Sequence, residues 1–171
     1  MKQKLVILGG GESGVGAAIL GQQKGYDVFV SDYGAIKDTY AQVLSSNQIN
    51  WEDRGHTVSE IIAADIVVKS PGIADVAPIV CSLKQAGVKV ISEIEFAAQF
   101  TDATIVAITG SNGKTSTASL TYALLKNDLN VALGGNIGDS FAAQVAAPGY
   151  ENFVLELSSF QLDGIEKFAP H

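Results

Sequence analysis

Twice in this chain a short apolar run rich in β-branched residues ends on a glycine turn that opens a helix. That repeated unit restricts the fold more than any other feature. Leu5-Val-Ile-Leu8 runs into Gly9-Gly10-Gly11, and Thr104-Ile-Val-Ala-Ile-Thr109 runs into Gly110. Around both, strand-like runs alternate with helical stretches. The expected strands are 5–8, 27–31, 65–69 and 88–91, then 104–109, 131–133 and 153–157. The expected helices are 14–23, 36–46, 58–64, 79–86 and 92–100, then 114–126 and 139–146. Strands that read as continuous apolar runs between helices imply a parallel sheet covered on both faces. The pattern restarts near residue 93, which is the expected domain boundary. The second unit has only three such strands, and Phe168-Ala-Pro-His171 reads as the lead-in to another. The second unit is therefore expected to be incomplete.

Composition excludes several classes. Apolar residues make up 47% and charged residues 17%, enough for a core, so intrinsic disorder is not expected. A formal charge of −7 without a Lys/Arg cluster argues against a binder of nucleic acid or anionic membranes. Any anionic ligand must be held by backbone N–H groups and a few chosen cations. Cys81 stands alone, so neither a disulfide framework nor a cysteine-rich metal site is expected. No apolar run approaches a membrane span and no signal pattern leads the chain, so a cytoplasmic location is the default expectation.

Four motifs carry chemistry. In Gly110-Ser111-Asn112-Gly113-Lys114-Thr115 the glycines let backbone approach phosphate oxygens, and the helix start aims N–H groups at the anion. Lys114 supplies a mobile cation for the β- and γ-phosphates of ATP, and Thr115 a hydroxyl for Mg²⁺. The spacing is shorter than the common phosphate loop by two residues. In Gly9-Gly10-Gly11-Glu12-Ser13-Gly14, glycines 9, 11 and 14 form G-x-G-x-x-G, with Asp32 about 20 residues on, placed for a ribose hydroxyl. Alone this pattern suggests NAD, but its physical content is only that a nucleotide diphosphate fits. Ser70-Pro71-Gly72-Ile73 ends another strand and should flank the same pocket. By itself it reads better as a Pro-Gly turn. In Glu156-Leu-Ser158-Ser159-Phe160-Gln161, Glu156 ends a core strand, where a carboxylate is costly unless a cation meets it. Mg²⁺ is the natural partner, with Ser158 and Gln161 near the same edge. Asn136, in Gly134-Gly-Asn-Ile-Gly138, can reach a ligand between the units. Neither His56 nor His171 carries a signal, and nothing is assigned to Tyr33.

On these motifs the chain resembles the Mur ligase superfamily, the ATP-dependent amide-forming enzymes of peptidoglycan synthesis. The resemblance rests on Ile7-Leu-Gly-x-Gly, Ser70-Pro-Gly-Ile73, Val106-Ala-Ile-Thr-Gly-Ser-Asn-Gly-Lys-Thr115, Gly134-Gly-Asn-Ile-Gly138 and Leu155-Glu-Leu-Ser-Ser-Phe-Gln-Leu162. Three of these match the D-glutamate-adding branch. The resemblance implies a Rossmann-like parallel-sheet domain over 1–92 that binds a UDP substrate. It implies the start of a P-loop ATPase α/β domain over 93–171, with the phosphate loop at 110–116. The family's third domain, later histidine and carbamylated lysine would be missing, so the piece alone should be inactive. By position, Gly11, Glu12, Ser13, Asp32, Pro71, Gly72 and Asn136 should bind the substrate UDP-N-acetylmuramoyl-L-alanine, with Ser158 and Gln161 towards its muramoyl-peptide end. Gly110 to Ser116 should hold the ATP phosphates, Lys114 and Glu156 should be catalytic, and Thr115 and Glu156 should serve Mg²⁺. D-glutamate would be the second substrate, and a monomer is expected. The alternatives are an NAD-dependent oxidoreductase, which leaves the second loop unexplained, a non-catalytic nucleotide-binding module, and another amide ligase such as a folylpolyglutamate synthase.

Overall fold

The computed structural model describes residues 2–147 and 149–171. Its first sheet is built from β1 (Lys4–Leu8), β2 (Asp27–Ser31), β3 (Asn50–Glu52), β4 (Ile66–Lys69) and β5 (Lys89–Ser92). All pairings are parallel, in the order β3-β2-β1-β4-β5. Four helices alternate with these strands: α1 (Glu12–Gln23), α2 (Asp38–Ser46), α3 (Val58–Ile62) and α4 (Pro78–Gln85). The second sheet is β6 (Thr104–Ile108), β8 (Asn152–Glu156) and β7 (Val131–Gly135), in that spatial order and also parallel. Helix α5 (Glu93–Ala98) joins the sheets, and α6 (Lys114–Leu125), α7 (Phe141–Ala146) and α8 (Ser159–Leu162) belong to the second.

The two-residue alternation of each central strand shows why the runs are apolar throughout. Leu5 and Ile7 of β1 join one core cluster while Val6 and Leu8 join another, with Ile61 of α3 and Val80 and Leu83 of α4. In β8, Phe153 and Leu155 face the first cluster, and Val154 faces Ala118 of α6. The first cluster therefore runs from one sheet to the other. Helices α1, α5 and α7 form a layer shared by both, with Phe141 edge-on to Phe153 at 5.0 Å between ring centres. Helix α1 sits in the middle of that layer. Seven of its twelve residues are buried, all of them glycine, alanine, valine or leucine, as expected of a helix covered on several sides. Gly16 makes the contact with α7 possible: a Cβ there would lie 2.4 Å from Ser140 Oγ.

The differences from the expected elements are local. β3 is absent from the expected set because it is a three-residue edge strand with polar Asn50 and Glu52 around Trp51. α8, four residues long, is likewise too short for a periodic signal. α1 starts at Glu12, two residues before the expected position, because Gly11 occupies the N-cap without a capping side chain. α7 starts at Phe141, behind the cap Ser140, rather than at 139. The closing segment does run beside β6: the His171 N–H donates to Ile105 O at 3.0 Å, and the Ile105 N–H donates to His171 Nδ1 at 3.2 Å. It is held further back by Glu95. That buried carboxylate accepts N–H bonds from Glu166, Lys167 and Phe168, at 3.1, 3.1 and 2.9 Å. Burial opposes ionisation of Glu95, but these bonds and Lys89 outweigh it and hold the carboxyl below its ordinary range.

Candidate functional site

In an open parallel sheet, ligands bind beyond the strand carboxyl ends where the strand order reverses. In the first sheet that point is β1, flanked by β2 and β4. A cavity of about 790 Å³ lies there, lined by the loops after these three strands. Gly9 and Gly11 come from the first loop, Glu12 and Ser13 from the first turn of α1, Asp32 from the second loop, and Ser70, Pro71 and Gly72 from the third. The sequence-expected residues of this unit are thus brought together. A Cβ on Gly11 or Gly72 would meet nothing within 4 Å, so backbone there faces open space.

Each loop is braced. Asp32 Oδ2 accepts the Gly10 N–H at 2.7 Å and Oδ1 accepts the Gly34 N–H at 2.8 Å. The carboxylate expected for a ribose also shapes the glycine turn, and each oxygen keeps a second lone pair. The Ser70–Ile73 turn is fastened by Lys69, whose Nζ donates to Ile73 O at 2.6 Å and pairs with Asp75 at 3.2 Å. The Lys69 ammonium holds the Asp75 carboxyl below its usual range. Sequence reading missed Lys69, and a lysine at a strand end gives no signal that it will turn back on its own loop.

The second unit places the Gly110–Thr115 loop, the expected phosphate loop, between β6 and α6. Gly113 is the N-cap of α6 at φ +77, a conformation favouring glycine, and no side chain caps the helix. The first-turn N–H groups over Lys114, Thr115 and Ser116 are therefore presented outward at the positive end of the helix. Lys114 Nζ donates to Gly110 O at 2.8 Å, folded over its own loop. Gly110, Ser111, Asn112, Thr115 and Ser116 are exposed.

Glu156 ends β8, the middle strand, in register with Ile108, the last residue of β6. It is 1% exposed. Its Oε1 accepts from Asn136 Nδ2 at 2.9 Å, and the Asn136 N–H donates to Glu156 O at 2.8 Å. Its Oε2 is buried without a hydrogen-bond partner. A buried carboxylate oxygen left bare is costly unless something positive meets it. With the Thr115 hydroxyl in the adjoining loop, the donor set is hard oxygen, which fits Mg²⁺. Asn136 was expected at the substrate, and its amide also holds Glu156. Ser158 and Gln161 form a capping box on α8. The Ser158 N–H donates to Gln161 Oε1 at 2.9 Å, and the Gln161 N–H donates to Ser158 Oγ at 3.3 Å. Gln161 is buried, and with Pro71 and Lys69 it lines a second cavity of about 240 Å³.

A carboxylate pair joins the units. Glu93 Oε1 accepts from Ser140 Oγ at 2.9 Å and from the Ala142 N–H at 2.6 Å, and Glu12 Oε1 accepts from the Ser140 N–H at 3.2 Å. Glu12, expected at the substrate, both lines the large cavity and ties it to α7. Burial pushes Glu93 up from 4.5 to about 7, against the bonds from Ala142 and Ser140 and helped by the charge of Glu12. A raised acid pKa means that the folded state binds more protons than the unfolded chain between pH 4.5 and 7. The contribution to stability is full below that window and falls as pH rises through it. Glu93→Gln keeps an oxygen for both donors and removes the charge. Its melting temperature is expected to exceed that of the parent by several degrees at pH 8, reflecting at most about 3 kcal/mol, and to match it near pH 4.5. Equal pH profiles would contradict this.

Two braced glycine turns, each at the carboxyl end of a parallel strand and each opening a helix, define the class: a two-unit parallel α/β protein. Residues 4–79 match the family model of the MurD N-terminal domain and residues 108–169 that of the Mur ligase middle domain. The chain belongs to the Mur ligase family. It is 58% identical to the UDP-N-acetylmuramoylalanine–D-glutamate ligase of Christiangramia forsetii, over 100% of this chain and 39% of that protein. It is 54% identical to the ligase of the same name from Bacteroides thetaiotaomicron, over 97% of this chain and 38% of that protein. It thus spans about two fifths of the length of these relatives. Among solved structures, a pseudomurein peptide ligase type C from Methanothermus fervidus matches with TM-score 0.57 and 28% identity, over 92% of this chain and 33% of that one. The UDP-N-acetylmuramate:L-alanyl-γ-D-glutamyl-meso-diaminopimelate ligase from Neisseria meningitides matches with TM-score 0.61 and 20% identity, over 91% and 52%, a likeness of fold. No helix among the described residues is long and apolar enough to cross a membrane.

Proposed function

We propose that this chain forms the UDP-substrate unit, over 1–92, and the opening of the ATP-binding unit, over 93–171, of a ligase that adds D-glutamate to UDP-N-acetylmuramoyl-L-alanine in the cytoplasm. The names of the relatives at 58% and 54% identity support the choice of substrates. The observation that carries the ATP half is the bare buried Oε2 of Glu156 beside an uncapped phosphate loop. In the proposed reaction the substrate's alanyl carboxylate attacks the γ-phosphate of ATP, giving an acyl phosphate and ADP. The D-glutamate amine then attacks the acyl carbon, loses a proton, and inorganic phosphate leaves.

This chain's residues position and neutralise. The first-turn N–H groups of α6 and the Lys114 ammonium take the phosphate oxygens, holding them in line for attack. Thr115 and Glu156 would hold Mg²⁺, which would offset the charge developing on the phosphates. Asn136 fixes the Glu156 carboxylate through Oε1 and leaves Oε2 free for the cation. The cavity beside Gly11 and Gly72 holds the nucleotide part of the acceptor substrate, and Asp32 reaches its ribose.

Calorimetric titration with ATP tests the Glu156 assignment. The parent chain is expected to bind ATP more tightly with Mg²⁺ than with EDTA. In Glu156→Gln that Mg²⁺ dependence should largely vanish. A variant that retains the full Mg²⁺ dependence would remove Glu156 from the metal site.

A further inference from the structure

The large cavity has an aromatic wall that its glycine, proline and aspartate residues do not explain. Tyr33, directly after Asp32, and His56, from the loop between β3 and α3, both line it. Their rings lie 5.7 Å apart at 47°. Tyr33 is 78% exposed, a large aromatic ring with little packing to hold it there. His56, in contrast, is anchored from beneath. Ser31 is fully buried, and its hydroxyl lies 2.6 Å from Glu52 Oε1 and 2.7 Å from His56 Nδ1.

The single hydroxyl proton decides who donates. Burial opposes ionisation of Glu52, but the bonds from Ser31, from the Thr57 hydroxyl and from the Thr57 amide outweigh it, with help from His56, and hold the carboxyl below its ordinary range. The ionised carboxylate only accepts, so Ser31 donates to Glu52 and His56 donates Nδ1–H to Ser31. This relay fixes the tautomer and the ring plane. Backbone bonds fix the rest: the Arg54 N–H donates to Gly34 O at 2.8 Å and the Gly55 N–H to Asp32 O at 3.3 Å, tying the two loops together. A buried serine and a buffered carboxylate spent on orienting one exposed-side ring indicate a surface built to receive something flat.

We propose that Tyr33 and His56 form a shelf on which the planar base of a nucleotide stacks, giving the cavity its preference for a whole nucleotide over a bare diphosphate. The inference rests on the nucleotide reading of this cavity and adds the residues that read the base. Stacking on an aromatic face is available to any base, because every base presents a π-face. The phosphates, held by the glycine loop, would contribute equally with or without it.

The test is calorimetric titration of the chain with UDP and, separately, with inorganic pyrophosphate, using the parent, Tyr33→Ala, Tyr33→Phe and His56→Ala. Tyr33 is exposed, so its variants should fold even if the His56 variant does not. Tyr33→Ala is expected to weaken UDP about tenfold, to leave pyrophosphate within about twofold, and to be rescued by Tyr33→Phe. Tyr33→Ala binding UDP as tightly as the parent, or losing pyrophosphate to the same degree, would overturn the shelf. A parent chain that binds pyrophosphate but gains nothing from the nucleoside overturns it too. A parent that binds neither ligand removes the nucleotide reading of the cavity, and the shelf with it.

Discussion

Lys114→Ala is expected to lower ATP-dependent ligation on the order of a thousandfold or more in a full-length protein carrying this chain, with the fold intact. The expectation follows from where the side chain stands. Its Nζ makes one hydrogen bond, to the Gly110 carbonyl of its own loop. Removing it leaves no buried charge unpaired, so the melting temperature should change little. What is lost is the only lysine or arginine in the segment from Asn112 to Tyr122, at a loop whose other donors are uncharged: backbone N–H groups and the side chains of Ser111, Asn112, Thr115 and Ser116. Backbone dipoles can hold a phosphate in the ground state. A mobile cation follows the charge as it moves to the leaving oxygens. Lys114→Arg should not restore activity, because a planar guanidinium cannot replace a compact ammonium over a tight loop. Phosphate release, read with circular dichroism on the same samples, checks both halves. Near-normal turnover in Lys114→Ala would sink the assignment.

Gly14→Ala is expected to destabilise the chain by about 3 kcal/mol or more, an overpacking cost at the upper end for one added methyl. A Cβ at this position would sit 1.8 Å from the Gly9 carbonyl oxygen, which is backbone and cannot swing aside. The glycine turn and the start of α1 would have to separate, and with them the wall of the large cavity. Gly11→Ala supplies the contrast. Its Cβ meets no protein atom within 4 Å, and its φ of −80 suits alanine. Stability should fall only by the few tenths of a kcal/mol to about 1 kcal/mol that an alanine N-cap costs, while UDP binding should weaken because the methyl fills the space the diphosphate needs. Urea unfolding and UDP titration separate the two. Equal stability losses at 11 and 14 would contradict the geometry.

These two glycines mark how far the sequence could be read. G-x-G-x-x-G announces a turn with close approach, and the positions of Gly9, Gly11 and Gly14 in the structure match that physical content. The strands β1, β4 and β8 were legible because their central residues are buried on both faces and so lack polar interruption, and β6, a half-buried edge strand, because its β-branched run ends on Gly110. Glu156 was legible as an acid at the end of such a strand. The rest depends on contacts between residues far apart in sequence. Ser31 meets Glu52 and His56 across 21 and 25 residues, and Glu93 meets Ser140 across 47. No local spacing encodes such pairs, so His56 and Glu93 looked like ordinary polar residues of a loop and a helix. Asn136 and Gln161 show the reverse. Motif position placed them towards the substrate, and the structure adds partners that no spacing announced, Glu156 for Asn136 and Ser158 for Gln161. The shared core between the sheets was also illegible. It rests on the small residues of α1, whose periodicity is flat because the helix is covered on several sides.

On the proposed function, the two glycine turns serve two different nucleotides in one reaction. The most direct measurement is phosphate release by a full-length protein carrying this chain, with UDP-N-acetylmuramoyl-L-alanine, ATP and D-glutamate supplied together and with each omitted in turn. Stoichiometric phosphate and amide product are expected only when all three are present. Product formed without ATP, or no product with all three while NADH binds saturably to the first unit, would contradict it.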